Sequence, residues 1–199
     1  MLMDHFKEEV VTKRNNTLNR VLYMLSWVLI IFGAIMAVFM LNLTISSITF
    51  GAFNAGFLIF ALLSGGAAIV AFIFHDRLIT EYEYTFTNGA LDFAEVYNNK
   101  KRKSLGSLNV KTVEAFGKVD SAAFRRYLTM PNIQKFNWFL NREAELYFFY
   151  FTKEVNKKMI IFEPSDEMVD YIKLYLPRGV YLEDGAAKPT PIPPHPSAT

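Results

Sequence analysis

VLYMLSWVLIIFGAIMAVFMLNLTISSITFGAFNAGFLIFALLSGGAAIVAFIF, from Val21 to Phe74, contains no Asp, Glu, Lys or Arg. Hydrophobic residues make up 52% of the 199-residue chain and the mean hydropathy is +0.17, but the average hides a segregation. The apolar residues are concentrated in this stretch, and its flanks are charged in the ordinary way. As one helix it would reach about 80 Å, against a hydrocarbon core of about 30 Å. Two spans fit better. The polar run Asn42 to Thr49 supplies a break, which places the helices at about 22–41 and 51–74. The short link makes them antiparallel neighbours, a transmembrane hairpin within segment 21–74. A cleaved signal sequence fits less well. The first apolar run exceeds the ~7 to 15 residues of such a segment, and no small-x-small cleavage pattern closes it.

The flanks orient the hairpin. Lys13, Arg14 and Arg20 precede it, Arg77 follows it, and the connecting loop has no Lys or Arg. Basic residues stay on the cytoplasmic side. The expectation is a multi-pass cell-membrane protein with two spans and both termini cytoplasmic, residues 1–20 forming an N-terminal cytoplasmic segment. Tyr23 and Trp27 stand where an interfacial aromatic belt belongs. Small residues recur at helical spacing: Gly33 with Ala37, Ala52 with Gly56, and Ala61 with Gly65. Such pairs let helix backbones approach closely in lipid. They serve packing within the hairpin, or an interface with a second copy or a membrane protein partner. Asn54 is expected to bond across the helices.

Beyond the membrane segment, residues 75–184 change to strand-like alternation. Tyr82, Tyr84 and Phe86 share one face, and Glu81, Glu83, Thr85 and Thr87 the other. Asn88-Gly89 follows, the pair that tolerates the positive φ of a type I′ turn, and Ala90 to Tyr97 returns as the second arm. Asn98 to Lys103 is expected as a turn. Further strands fall at 104–107, 111–118, 132–140, 145–152 and 158–162, with 121–128 ambiguous. A helix opens at Ser165, an N-cap followed by Asp166 and Glu167 in the first turn. Met168, Ile172 and Tyr175 recur along its apolar stripe, and Pro177 stops it. Val180 to Leu182 is a last strand or an extended end. A meander of short strands has open edges. Curling it into a barrel or sandwich, with the helix plugging one end, buries them.

Three stretches carry a family resemblance: Ile79-Thr80-Glu81-Tyr82-Glu83-Tyr84-Thr85-Phe86-Thr87-Asn88-Gly89 directly after the hairpin, Lys103-Ser104-Leu105-Gly106-Ser107-Leu108 before a Val-rich strand, and Glu163-Pro164-Ser165-Asp166-Glu167-Met168 opening the final helix. Over about residues 20–182 the chain resembles small uncharacterised bacterial membrane proteins that join two transmembrane helices to a pleckstrin-homology (PH)-like domain. The resemblance implies an α+β membrane protein: a transmembrane hairpin followed by a PH-like antiparallel β-barrel or sandwich with a C-terminal helix. It implies no reaction. Residues 185–199 hold five of the eight prolines and are expected as a disordered or polyproline-II tail.

The chemistry is sparse. Without cysteine there are no disulfides, thiolates or cysteine-based zinc sites. A net charge of +2 does not point to nucleic acid. His5, His75 and His195 are scattered, and the strand carboxylates alternate with aromatics as on a solvated face. No catalytic residue, metal site or cofactor is assigned, and the expectation is a protein that is not an enzyme. Lys100, Lys101, Arg102 and Lys103 form the one motif with a physical consequence. Near an anionic leaflet each basic side chain contributes about 1 kcal/mol, so the run could hold the domain against lipid head groups. A plain solvated turn and a partner dock are the competing readings, and residues 75–185 carry 16 basic and 16 acidic side chains. The function expected is a membrane-anchored scaffold or adaptor that presents a PH-like domain to protein or anionic lipid. The alternative is an accessory subunit of a larger transport or secretion complex.

Overall fold

The computed structural model of the chain describes residues 4–182, so the expected tail at 185–199 lies outside the described residues. The described chain divides into two compact units. One is helical, Thr12–Glu81 with Glu95–Lys103. The other is β-rich and takes residues 4–11, 82–94 and 104–182. This division differs from the linear expectation of 1–20, 21–74 and 75–184: the β-rich unit starts before the helices.

In the helical unit, α1 (Thr17–Thr49) and α2 (Ala55–Phe74) are each long and apolar enough to cross a membrane by length and composition. The expected break at Asn42 does not occur. The polar side chains turn back onto their own helix: Asn42 Nδ2 donates to the Val38 carbonyl (3.0 Å), Thr44 Oγ1 to Met40 (2.8 Å) and Thr49 Oγ1 to Ile45 (2.9 Å). Each hydroxyl or amide is thereby satisfied one turn earlier, and the helix continues through them. The turn falls later, and Asn54 is the N-cap of α2, its side chain accepting from Gly56 N at 2.9 Å. The side chain of Asn54 therefore caps its own helix, and the bond expected across the helices comes from its backbone N, which donates to Ser47 Oγ of α1 at 3.4 Å.

Gly33 is buried where the helices meet. A Cβ built there would lie 3.1 Å from Ala68 Cβ and 3.1 Å from the Ser64 carbonyl oxygen. A Cβ on Gly65 would lie 3.4 Å from Ala37 Cβ, and Ala61 is buried. Ala52 and Gly56 do not join this packing. Ala52 is exposed ahead of α2, and Gly56 is an exposed first-turn residue whose added Cβ would meet only Asn54. Helical spacing counted Ala52 as part of a helix that starts three residues later.

Four strands whose larger parts lie in the β-rich unit, β1 (Phe6–Val11), β2 (Thr80–Thr87), β3 (Ala90–Tyr97) and β4 (Lys101–Asn109), form one sheet in that order, and their ends at 80–81, 95–97 and 101–103 belong to the helical unit. The β2–β3 hairpin turns at Asn88 (φ +50°) and Gly89 (φ +96°), as the Asn-Gly pair predicts. Gly89 is held by space as well: a Cβ there would lie 2.8 Å from Tyr175 Cδ1. The chain beyond residue 80 does not supply β1. It pairs antiparallel with β2 from Phe6↔Thr87 to Val11↔Tyr82. Its pattern is inverted up to residue 10, because Phe6 and Val10 are 58% and 50% exposed, and Val11 at its end is the apolar residue that enters the core. Lys7 instead pairs with Glu167, and Glu9 Oε2 accepts from Ser165 N at 3.0 Å.

The second sheet has the order β6-β8-β7-β5-β9, from β5 (Ala115–Lys118), β6 (Ile133–Trp138), β7 (Tyr147–Lys153), β8 (Asn156–Phe162) and β9 (Tyr181–Leu182). It is not wholly antiparallel as expected: β6 runs parallel to β8, and β9 parallel to β5. The short helix α3 (Ala122–Leu128) follows β5, and α4 (Asp166–Tyr175) separates β8 from β9. Ser165 caps α4, accepting from Met168 N at 3.3 Å. Tyr84, Phe86 and Phe93 of the first sheet meet Phe116, Phe149 and Phe162 of the second beneath Met168 and Ile172 of α4. Phe148 and Tyr150 face the other way, onto Phe124 and Tyr127 of α3. The strand β7 is thus covered on both sides, which is why its sequence is continuously aromatic. The sheets are packed as in a sandwich and do not close into a barrel.

Candidate functional site

The basic run lies in the helical unit, just beyond α2. A 3-10 turn, His75–Leu78, ends that helix and buries His75 and Asp76. The Asp76 carboxylate organises the surroundings. Its Oδ1 accepts from Asn98 Nδ2 at 2.8 Å and from Lys100 Nζ at 3.3 Å, and lies 3.3 Å from His75 Nε2. Asn98 Nδ2 also donates to Tyr23 Oη at 3.1 Å, and Asn98 N donates to the Ile79 carbonyl at 2.7 Å. Asn98 and Asn99 adopt φ values of +50° and +52°, the left-handed conformation asparagine tolerates best among residues with a side chain. His75 Nδ1 donates to the Phe72 carbonyl at 2.6 Å, and its ring packs among Tyr23, Trp27 and Phe72 at 5.2 to 5.6 Å.

These contacts split the run. Lys100 is engaged by Asp76. Lys101, Arg102 and Lys103 belong to β4 rather than to the turn in which all four were expected, because the turn tightens to Asn98–Lys100. They line a cleft of about 290 Å³ together with Ile73, Arg77 and Tyr97. The Arg77 guanidinium lies 4.9 Å from the Phe74 ring centroid and 5.9 Å from that of Tyr97, within reach of both aromatic faces. Four cations and the single carboxylate of Asp76 therefore bound the cleft. Its chemistry is ion pairing and hydrogen-bond donation to an anion. Arg77 was legible only as a topology marker. Asp76 and Tyr97 gave no sequence signal, because Asp76 depends on Asn98 and Lys100, 22 and 24 residues away, and Tyr97 on Arg77 from the far end of the preceding hairpin.

Both the fold and the hairpin fall within one known pattern. The family model described as "Bacterial PH-like domain (DUF6106)" matches residues 3–182. The chain belongs to this family. The matched span takes in α1 and α2 as well as both sheets, so the two apolar helices are part of what this PH-like family model covers. No curated protein and no solved structure matches the chain. For this PH-like protein, the functional reading therefore rests on the chain's own residues.

Proposed function

We propose that the protein is a membrane-anchored, non-enzymatic scaffold, with both ends cytoplasmic, whose PH-like domain is held at the inner membrane face to meet anionic lipid or a protein partner. One observation carries the lipid contact: the cleft of Arg77, Lys101, Arg102 and Lys103 begins at the last turn of α2. If α2 spans the bilayer, as its 20 residues and roughly 30 Å allow, the cleft sits at head-group level. Four basic groups there contribute about 1 kcal/mol each against an anionic leaflet. The β1–β2 pairing supports the topology. The segments before and after the hairpin share one sheet, so both belong on the same side of a membrane.

The test uses full-length protein in nanodiscs of mixed phosphatidylcholine and phosphatidylglycerol, with retained lipids read by native mass spectrometry. Wild type is expected to keep phosphatidylglycerol preferentially. Replacing Arg77, Lys101, Arg102 and Lys103 by Ser should remove the preference. Equal retention of both lipids by wild type rejects the lipid reading.

A further inference from the structure

The two sheets of the β-rich unit part between β4 and β6. Among the described residues β4 is bonded to β3 alone and β6 to β8 alone, so each turns an edge toward the gap. An unpaired edge offers a row of backbone donors and acceptors. A cleft of about 140 Å³ opens at this seam. Phe151 and Ile160, both buried, contribute to its lining, with Leu105 of β4 and Phe136 and Trp138 of β6. Lys153 and Lys158 complete the charged part of the lining, and no Asp or Glu takes part. Lys158 Nζ stands 5.9 Å from the Phe136 ring centroid, so its ammonium lies over the aromatic wall.

Volume decides what such a cleft can take. Small-molecule pockets run to about 300 to 1,000 Å³, whereas a cavity of about 150 Å³ takes one benzene-sized group. The seam therefore has room for a single bulky side chain. A strand edge recognises an extended backbone, and an extended peptide presents alternate side chains to the surface it joins. Two ammonium groups in a lining that holds no Asp or Glu favour acidic residues beside that side chain.

We propose that this seam docks an extended, acidic segment of a protein partner, which adds to the exposed strand edge, inserts one bulky apolar side chain beside Trp138 and sets carboxylates against Lys153 and Lys158. The site lies wholly within the β-rich unit, and it stands whether or not the basic cleft of the helical unit binds lipid.

The experiment uses the full chain in detergent micelles. Trp27→Phe leaves Trp138 as the sole tryptophan, since the chain has two. The probes are the capped peptide Glu-Val-Phe-Val-Glu, its counterpart with Lys in place of both Glu, its counterpart with Ala in place of Phe, and phenylacetate. The acidic peptide should change Trp138 emission saturably and bind at least about tenfold tighter than the Lys and Ala counterparts. Combined Lys153→Glu and Lys158→Glu should reverse the order, the Lys peptide gaining as the acidic one loses, a reversal that misfolding does not produce. No saturable response, equal binding of acidic and basic peptides, an unchanged order in the charge-reversed variant, or phenylacetate binding as tightly as the peptide would each overturn the proposal.

Discussion

Tyr84 carries one polar atom into the middle of an apolar core. Its ring is fully buried between Phe93 and Phe162, with centroids 5.5 Å away on either side. Its hydroxyl donates to the Trp138 carbonyl and accepts from Glu163 N at 3.3 Å. Close by, the buried Glu163 carboxylate accepts from Asn141 N and Nδ2 at 2.9 to 3.1 Å. Tyr84→Phe keeps the packing and strands a carbonyl and an amide, so it should lower stability by about 1 to 3 kcal/mol. Burial, the leading cause, holds the Tyr84 phenol well above its ordinary value. Below pH ~10 both folded and unfolded chains keep this proton, and its contribution is constant. Above pH ~10 the unfolded chain releases it while the folded chain retains it, so stability falls by up to about 1.4 kcal/mol per pH unit. Urea melts of the full chain in detergent between pH 8 and 11 should show this decline, and Tyr84→Phe should make it shallower. Burial raises Tyr147 and Tyr150 as well, so some decline remains. Alternation told from sequence that Tyr84 faces inward. It could not tell where the hydroxyl finds its partners, because Trp138 and Glu163 are 54 and 79 residues away.

Among the elements, the helix pair separates what spacing can and cannot reveal. Gly33, Ala37, Ala61 and Gly65 were legible as small residues, and composition alone marked both apolar helices. Their order of importance comes from geometry. Gly33 leaves no room for a Cβ against Ala68 and Ser64, whereas nothing lies within 4 Å of a Cβ on Gly66. Gly33→Val should therefore force the helices apart at a cost of about 1 to 3 kcal/mol, while Gly66→Ala should be neutral or slightly stabilising through helix propensity. Thermal unfolding in detergent, with a spin-label distance between α1 and α2, separates the two outcomes. The same contrast explains the polar run Asn42–Thr49. Hydropathy marks it as a break, but bonds to carbonyls one turn back satisfy it within the helix. A polarity scale does not register such partners.

At the scale of the whole molecule, the hairpin interrupts a sheet. The register brings Val11 opposite Tyr82, with α1 and α2 inserted between β1 and β2. A piece that begins after the helices lacks an edge strand. Replacing Thr12–Glu81 by Asn-Gly closes β1 and β2 as a two-residue hairpin. This shortened chain should be soluble and keep a β-type circular dichroism spectrum with cooperative melting, whereas residues 82–182 alone should aggregate or melt without cooperativity. An insoluble Asn-Gly chain would show that the β-rich unit needs the helices to fold. By itself the sequence determined the two apolar helices, the Asn88-Gly89 hairpin, the continuously aromatic β7 and the capped α4. Each of these is written in periodicity or local backbone preference over a few residues. Only the tertiary structure decided that Phe6–Val11 is a strand, that β6 and β9 run parallel to their neighbours, and that Arg77 joins Lys101, Arg102 and Lys103 while Lys100 turns to Asp76. Those features depend on partners far along the chain. Local pattern does not encode them: ahead of the buried Val11, the inward side chains of β1 are Lys7 and Glu9, and Lys7 meets Glu167 while Glu9 meets the N-cap of α4.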